Sequence, residues 1–277
     1  MDDKNYAYLT KKILKLTKIN LDNYKSQQMR RRLNMFLANT GFDNIVSYAA
    51  ALEKDQEMLQ KLRTFLTINV SEFYRDKASF KYLQTIILPK LLKKCSSLNM
   101  WSAGCSRGEE SYSVAMILNT ISPGQNHRIL ATDIDDNSLK KARDGGPYSA
   151  SELKNVSPNI INRYFTISND EYRVIDKMKH KVEVKHQDLL NDQFERGFDL
   201  IICRNVTIYF TEETKRALNE RFFKSLKDEG ILFIGGTEVM LDASSIGFKQ
   251  VGTSFYQKPE NSPPIIMTPM NNLLVKT

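Results

Sequence analysis

Cysteine and histidine are scarce in this chain, and long apolar runs are missing. Three cysteines occur in 277 residues. Cys95, Cys105 and Cys203 form an odd set without C-x-x-C spacing, so neither a disulfide framework nor a zinc site is expected. They read as free thiols in a reducing compartment. The three histidines share no helix-face or strand-ladder spacing, so no metal site is expected either. Uninterrupted apolar runs are only a few residues long, too short to span a bilayer. The opening segment, M-D-D-K-N-Y-A-Y-L-T-K-K, lacks the apolar core of a signal peptide. A cytoplasmic protein is the expectation.

The remaining composition is that of an ordinary globular protein, 41% hydrophobic and 26% charged. The length suits one large domain or one with a smaller companion. Net charge is +8 with a pI near 9.2, which admits nucleic acid, an anionic membrane surface or an acidic protein as partner. The charge is concentrated. Lys11 through Arg32 carries eight basic residues and one acid, Asp22.

Residues 1–75 read as helices. Leu9, Ile13 and Leu16 form one apolar stripe at helical spacing, and Met29, Leu33, Phe36 and Leu37 another. Gly41 reads as a helix stop, and further helices are expected over about 45–52 and 55–65. Residues 76–95 read as a connecting helix that Pro89 ends or kinks. From Leu98 the pattern alternates. Strands are expected at 98–102, 128–132, 172–175, 181–186, 198–203 and 231–235. Helices are expected after the first of these, over 138–143, from Ser157-Pro158 to about 165, and over 211–226, with a terminal hairpin over 248–256. Such alternation predicts a mostly parallel sheet covered on both faces. The tail, Pro259–Thr277, has four prolines and no period, and is expected to be poorly ordered.

Trp101–Tyr112, W-S-A-G-C-S-R-G-E-E-S-Y, is the most informative stretch. A strand enters it and a helix leaves it, with Gly104 and Gly108 between, which is how α/β proteins hold a nucleotide-like cofactor. A helix N-terminus normally welcomes phosphate. Here Glu109 and Glu110 occupy that place. A pyrophosphate is repelled, whereas a cofactor with an ammonium and a sulfonium is not, and S-adenosylmethionine fits. Ser106-x-x-Glu109 is also a capping box, so Glu109 can face the cofactor or fold back on its own helix. Arg107 can point to solvent or pair with Glu110.

Other polar residues fall at strand ends. Asp133 ends the second strand, where a carboxylate matches the vicinal hydroxyls of a ribose. Asp188 follows the third strand, near where an adenine edge lies. Asn205 and Tyr209 follow the fourth, in C-R-N-V-T-I-Y-F. This segment lacks the proline-proline-aromatic motif of nucleic-acid amino-methyltransferases, and the chain lacks the Pro-Cys nucleophile of cytosine C5 chemistry. The basic pI is therefore poor evidence for DNA or RNA modification. In L-T-I-N-V-S-E-F-Y-R-D, residues 66–76, polar Asn69, Ser71 and Arg75 stand beside apolar Phe73 and Tyr74.

Five motifs together resemble the chemotaxis receptor methyltransferase family (CheR-type protein-glutamate O-methyltransferases): M-R-R-R-L at 29–33, T-I-N-V-S-E-F-Y-R at 67–75, the 101–112 loop, A-T-D-I-D at 131–135, and F-D-L-I-I-C-R-N-V-T-I-Y-F at 198–210. The resemblance runs from about Leu9 to Gln257. It implies a class I S-adenosylmethionine-dependent methyltransferase, a Rossmann-like doubly wound sheet. Residues 1–75 are then a small all-α N-terminal domain, 76–95 a linker helix, 96–258 the methyltransferase domain with a short β-subdomain at about 166–186, and 259–277 a flexible tail. It implies methylation of receptor glutamates for sensory adaptation, with S-adenosylhomocysteine as product. A nucleic-acid or other protein methyltransferase on the same fold is the alternative.

By the same resemblance, Asn69, Ser71 and Arg75 reach the methionine end of the cofactor, Glu109 holds its amino group and Asp133 its ribose. Asp188-Leu189 and Asn205-Val206 match the adenine and inner-wall contacts, Gly104 lets the backbone approach the cofactor closely, and Arg75 and Tyr209 match the residues nearest the transferred methyl. The implied partner is the cytoplasmic helical bundle of membrane receptors, where Arg30, Arg31 and Arg32 are candidates for docking. Two departures stand out. The family's loop commonly reads S-T-G-E-E-P-Y, and Arg107 and Ser111 replace its Thr and Pro. The family's β-subdomain often uses a glycine-rich turn to bind a receptor-tail pentapeptide, and Thr166–His186 contains no glycine. The branch that does not need the pentapeptide is expected.

Overall fold

The computed structural model describes residues 1–42, 44–67 and 69–262. The tail expected to be poorly ordered lies outside the described residues beyond Ser262. The chain divides into two compact units, one built from Met1–Ile68 with Ile208–Lys215, the other from Asn69–Thr207 and the chain from Arg216 on. The expected boundary at 75/76 therefore differs from the observed divide, which leaves residues 69–75 with the sheet.

The first unit is helical: α1 (Asp3–Thr17), α2 (Ser26–Ala38), α3 (Ile45–Ala51) and α4 (Gln56–Thr67). Asp2 caps α1 by accepting the Asn5 N–H at 2.8 Å, and Asn44 caps α3 by accepting the Ser47 N–H at 2.9 Å. The two predicted stripes face inward, with Leu9, Ile13, Met29 and Leu33 buried, as are Leu59, Leu62 and Leu66 of the same unit. Phe36 meets Phe65 at a centroid distance of 4.4 Å.

The second unit opens with α5 (Lys77–Tyr82) and α6 (Leu88–Leu92), joined by a π turn over Leu83–Ile87. Pro89 neither ends nor breaks this run, because the wider turn precedes it and places the ring in the first turn of α6, where no donor is needed.

The strands are β1 (Asn99–Ala103), β2 (Arg128–Asp133), β3 (Phe165–Ser168), β4 (Glu171–Val174), β5 (Val182–His186), β6 (Phe198–Cys203), β7 (Leu226–Ile234), β8 (Lys249–Gly252) and β9 (Phe255–Gln257). Among the described residues, seven form one sheet in the order β5-β2-β1-β6-β7-β9-β8. Its first five members are parallel, and β9 runs antiparallel to both neighbours. Strands β1, β2, β6 and β7 are largely buried, as parallel strands covered on both faces must be. The covering helices are α7 (Glu109–Ile121), α8 (Asp136–Asp144), α9 (Pro158–Tyr164), α10 (Asp176–Lys179), α11 (Glu212–Ser225) and α12 (Ala243–Ile246). Strand order reverses between β1 and β6, and the crevice beyond their carboxyl ends is where such sheets bind ligands. No helix among the described residues is long and apolar enough to cross a membrane.

The β-subdomain is smaller than expected. β5 joins the main sheet, leaving only the hairpin β3–β4. Asn169 and Asp170 connect these strands with φ of 50° and 60°, the left-handed pair that a tight two-residue hairpin turn requires. Phe165, expected to end a helix, instead starts β3.

His127, between α7 and β2, fixes the opposite end of the sheet. Its Nδ1 accepts the Leu98 N–H at 3.1 Å, and its Nε2 lies 2.6 Å from the Ser122 hydroxyl. Accepting at Nδ1 requires the neutral ring, and burial holds its pKa below the usual 6.5. The stability it carries is present above pH 6.5 and is lost as pH falls through the lowered value. Urea midpoints measured from pH 7.5 down to 5 should fall more steeply for the wild type than for His127→Asn.

Candidate active site

The loop after β1 turns through three left-handed residues, Gly104 (φ 82°), Ser106 (φ 49°) and Gly108 (φ 91°). The Gly104 and Cys105 amides donate to the Thr132 carbonyl at 2.8 and 2.9 Å, pinning the loop to β2. A Cβ on Gly104 would stand 2.5 Å from Val206 Cγ2, so Val206 lies directly on the glycine.

Glu109 opens α7 and is fully buried, yet neither carboxylate oxygen has a hydrogen-bond partner. The capping box does not form. Gly108 takes the N-cap position without a side-chain bond, and the Ser106 N–H donates to Asp133 Oδ2 at 2.8 Å. Burial pushes the Glu109 pKa up to about 7, against pulls from its own amide, Arg107 and Lys141. Glu110 faces elsewhere, accepting the Ser102 hydroxyl at 2.8 Å. Arg107 pairs with Glu152 at 3.3 Å, not with Glu110. Glu152 also accepts Lys141 Nζ and the Ser149 N–H, each at 2.8 Å. The replaced Thr and Pro of the loop are thus offset by an anchor on α8 and its following turn.

Asp133 accepts the Ser106 and Asp135 amides on its two oxygens, at 2.8 and 3.0 Å. A carboxylate has about four acceptor positions, so two remain for a diol. Burial raises its pKa, and the backbone amides of Asp135, Ser106 and Ile134 oppose the shift. Asp135, two residues on, caps α8 and accepts the Asn69 side-chain amide. Asn69 therefore stands beside the end of β2.

The segment from Asn69 to Asp76 is stitched to the crevice along its length. The Phe73 N–H donates to the Glu152 carbonyl at 2.9 Å, and the Tyr74 N–H to the Ser113 hydroxyl at 3.0 Å. Glu72 accepts the Asn155 side-chain amide at 2.9 Å. Tyr74 has φ of 50° and Asp76 of 64°, uncommon for such side chains and held by these bonds. Arg75 curls back so that Nη1 donates to the Val70 carbonyl at 2.9 Å. Ser71 is half-buried in the same segment.

The opposite wall comes from β5 and β6. The Gln187 N–H donates to the Asp133 carbonyl at 2.9 Å. Asp188 spends its carboxylate locally, on the Leu190 amide at 2.8 Å and the Asn191 side chain at 2.7 Å. Leu189 is buried, and its carbonyl accepts Arg221 Nη1 at 2.6 Å. Asn205 takes a left-handed φ of 59°. Glu238, in the loop after β7, fixes that turn by accepting the Asn205, Gly235 and Thr207 amides at 2.8, 2.7 and 3.1 Å and the Thr207 hydroxyl at 2.7 Å. Neither Glu238 nor Arg204, whose Nη2 donates to the Arg75 carbonyl at 2.8 Å, was singled out from the sequence. A buried charge next to a strand-end loop is the signal both carried.

Asn69, Ser71, Arg75, Gly104, Glu109, Asp133, Asp188, Leu189, Asn205 and Val206 all belong to the sheet unit. Tyr209 falls in the helical unit, where its carbonyl accepts the Lys25 N–H at 2.9 Å. The three arginines expected to dock a partner do not form one surface. Arg32 donates to the Phe65 carbonyl at 2.5 Å, and its guanidinium carbon lies 4.7 Å from the Phe65 ring centroid. It is a packing element of its own unit, and burial lowers its pKa. Arg30 pairs with Asp3 at 2.6 Å and covers Tyr6. Arg31 is exposed.

A reversed strand inserted at one edge of a parallel sheet, and a helix mouth filled by an unpaired carboxylate where phosphate would otherwise sit, define the class I S-adenosylmethionine-dependent methyltransferases. Residues 69–256 match the family described as CheR methyltransferase, SAM binding domain, and residues 4–67 match CheR methyltransferase, all-alpha domain. The chain is 35% identical over 257 residues to a chemotaxis protein methyltransferase of Listeria monocytogenes, covering 92% of this chain and 98% of that one. It is 34% identical to one of Borreliella burgdorferi, covering 80% and 83%, and 32% identical to one of Salmonella typhimurium, covering 86% and 84%. The chain belongs to the CheR methyltransferase family.

Proposed function

We propose that this protein transfers a methyl group from S-adenosylmethionine to glutamate side chains of chemotaxis receptors, leaving glutamate methyl esters and S-adenosylhomocysteine. The observation that carries the reading is Glu109, a buried carboxylate without a partner at the mouth of α7. A cation satisfies such a group well, and the cofactor's ammonium is one. Membership of the family supports the receptor as substrate and disfavours the nucleic-acid alternative.

The cofactor supplies an electrophilic methyl on a sulfonium. The residues around it bind, orient and dry the site. Glu109 takes the ammonium, Asp133 the ribose hydroxyls, Asp188-Leu189 the adenine edge, and Asn205-Val206 close over Gly104. Asn69 and Ser71 border the methionine end. Arg75 orients the incoming carboxylate. A glutamate with pKa about 4.3 is already ionised at pH 7, so no base is needed. Its oxygen forms the new C–O bond, the C–S bond breaks with its electron pair going to sulfur, and no proton moves. Charge is neutralised in the transition state, which a water-poor crevice favours. Alignment supplies most of the rest.

Tritiated S-adenosylmethionine incubated with receptor-containing membranes tests the reading. Base-labile label on receptor protein supports it, and label on nucleic acid overturns it. The proposed partner is the acidic helical bundle of the receptors, reached from the cytoplasm. Arg31, exposed on α2, is the docking charge of its triplet. Arg31→Ala should weaken receptor binding at low salt and leave S-adenosylhomocysteine binding unchanged, since exposed charges act over about 8 Å at physiological ionic strength. The tight β3–β4 turn supports the pentapeptide-independent branch. Calorimetry with a receptor-tail peptide should show no stoichiometric binding.

A further inference from the structure

Arg204 is a buried cation outside the set of residues that face the cofactor. Its side chain is 2% exposed, although it directly follows β6. Three stretches of chain converge on its guanidinium. Nη2 donates to the Arg75 carbonyl at 2.8 Å and lies 3.8 Å from Asp76 Oδ2. Nη1 stands 3.5 Å from Glu110 Oε2, and Glu110 is in turn tied to Ser102 of β1. The guanidinium carbon lies 4.7 Å from the Phe233 ring centroid and 5.2 Å from that of Phe80. Burying a cation among aromatic rings forfeits its hydration, and an apolar residue of the same size would often be as stable. The side chain therefore does something that an apolar one cannot.

Its neighbours show what. Glu110 adjoins Glu109, Arg204 itself adjoins Asn205, and Arg75 is held by its own carbonyl. One rigid fork thus relates the ammonium site, the inner wall and the segment that presents Arg75. We infer that Arg204 is a positioning residue for methyl transfer, locking the Arg75–Asp76 peptide to α7 and β6 without touching cofactor or substrate. This rests on the methyl-transfer reading above. A planar fork with several fixed donors can serve the Arg75 carbonyl and Glu110 together, and a lysine ammonium cannot. Glu110, whose pKa is raised by burial and drawn down by Arg204, is the counter-charge.

Arg204→Lys, Arg204→Met and Glu110→Gln in the full chain test this. A displacement of the reacting groups by about 1 Å costs on the order of a hundredfold in rate. The expected kcat loss is therefore of that size for Arg204→Met, and roughly tenfold for Arg204→Lys, which keeps charge without the fork. S-adenosylhomocysteine affinity, set by Glu109 and Asp133, should stay within about threefold of wild type in both, so that the loss falls on kcat. Hydrogen exchange should quicken at the Tyr74–Asp76 amides and stay unchanged within α7. Glu110→Gln, which keeps an acceptor for Arg204, should lose less than Arg204→Met. Full kcat in Arg204→Lys overturns the inference, as does a parallel fall of kcat, ligand affinity and melting temperature in all three variants. If the wild type transfers no methyl group, the parent reading fails, and the exchange pattern then judges the clamp by itself.

Discussion

Glu109→Gln should make the cofactor-free protein more stable above pH 7 while costing it most of its cofactor affinity. A carboxyl raised from 4.5 to about 7 holds its proton more tightly in the folded chain than in the unfolded one. The stability it contributes is full below pH 4.5 and is lost as pH rises through about 7. The free-energy equivalent of such a rise is roughly 3 kcal/mol. Glutamine fills the same space without the charge, so the variant's melting temperature at pH 8 should exceed that of the wild type. Binding runs the other way. A charge-assisted bond to an ammonium contributes about 1.5–3 kcal/mol, so S-adenosylhomocysteine affinity should fall by ten- to a hundredfold. Wild-type affinity should rise about tenfold per pH unit up to pH 7 and then level off, because below that pH a proton must leave Glu109. The variant should show no such slope. Calorimetry and thermal unfolding at pH 6 and pH 8 decide the matter. A variant that binds normally would remove Glu109 from the ammonium site.

Gly104→Ala should be nearly as severe, for steric reasons. Its φ of 82° is a left-handed conformation, which costs a residue with a Cβ about 1–2 kcal/mol. The new Cβ would also stand 2.5 Å from Val206 Cγ2. Val206 must retreat or the loop must lift from its two bonds to Thr132. Either movement opens the wall between β1 and β6, and a displacement of that size is expected to cost on the order of a hundredfold in kcat/KM. Adding Val206→Ala relieves the contact but not the backbone strain. The double variant should therefore recover part of the loss, a non-additivity that marks the two residues as one surface. Strict additivity would show that they act apart.

Much of the fold was legible in the sequence because short-range rules govern it. Helical spacing of Leu9 and Ile13, or of Met29 and Leu33, suffices to predict which faces are buried. The strand-like runs at 98–102, 128–132 and 198–203, alternating with helical patterns, predict covered parallel strands. Less legible were the features set by a distant partner. Residues 69–75 follow four helices and look like their continuation, yet their bonds go to Asp135, Glu152, Ser113 and Arg204, which lie far along the chain. Arg32 sits in a basic run and reads as a surface charge, but Phe65 across the same unit takes it inward.

The candidate site divides in the same way. The glycine loop, the acid ending β2 and the two glutamates opening α7 follow from residue type and order, since a strand, a glycine turn and a helix dictate where those side chains can stand. The sequence by itself thus determined the class of cofactor and the places of these side chains along the fold. What only the tertiary structure decided is that the Glu109 carboxylate does not cap its own helix. Ser106 and Glu109 are spaced to satisfy one another, and nothing local forbids it. Asp133, 27 residues beyond Ser106, takes the Ser106 amide, and Gly108 takes the cap. Glu109 is then buried with no donor beyond its own amide, because a hydrogen-bond partner is chosen by the packing of the whole sheet and not by its neighbours in the chain.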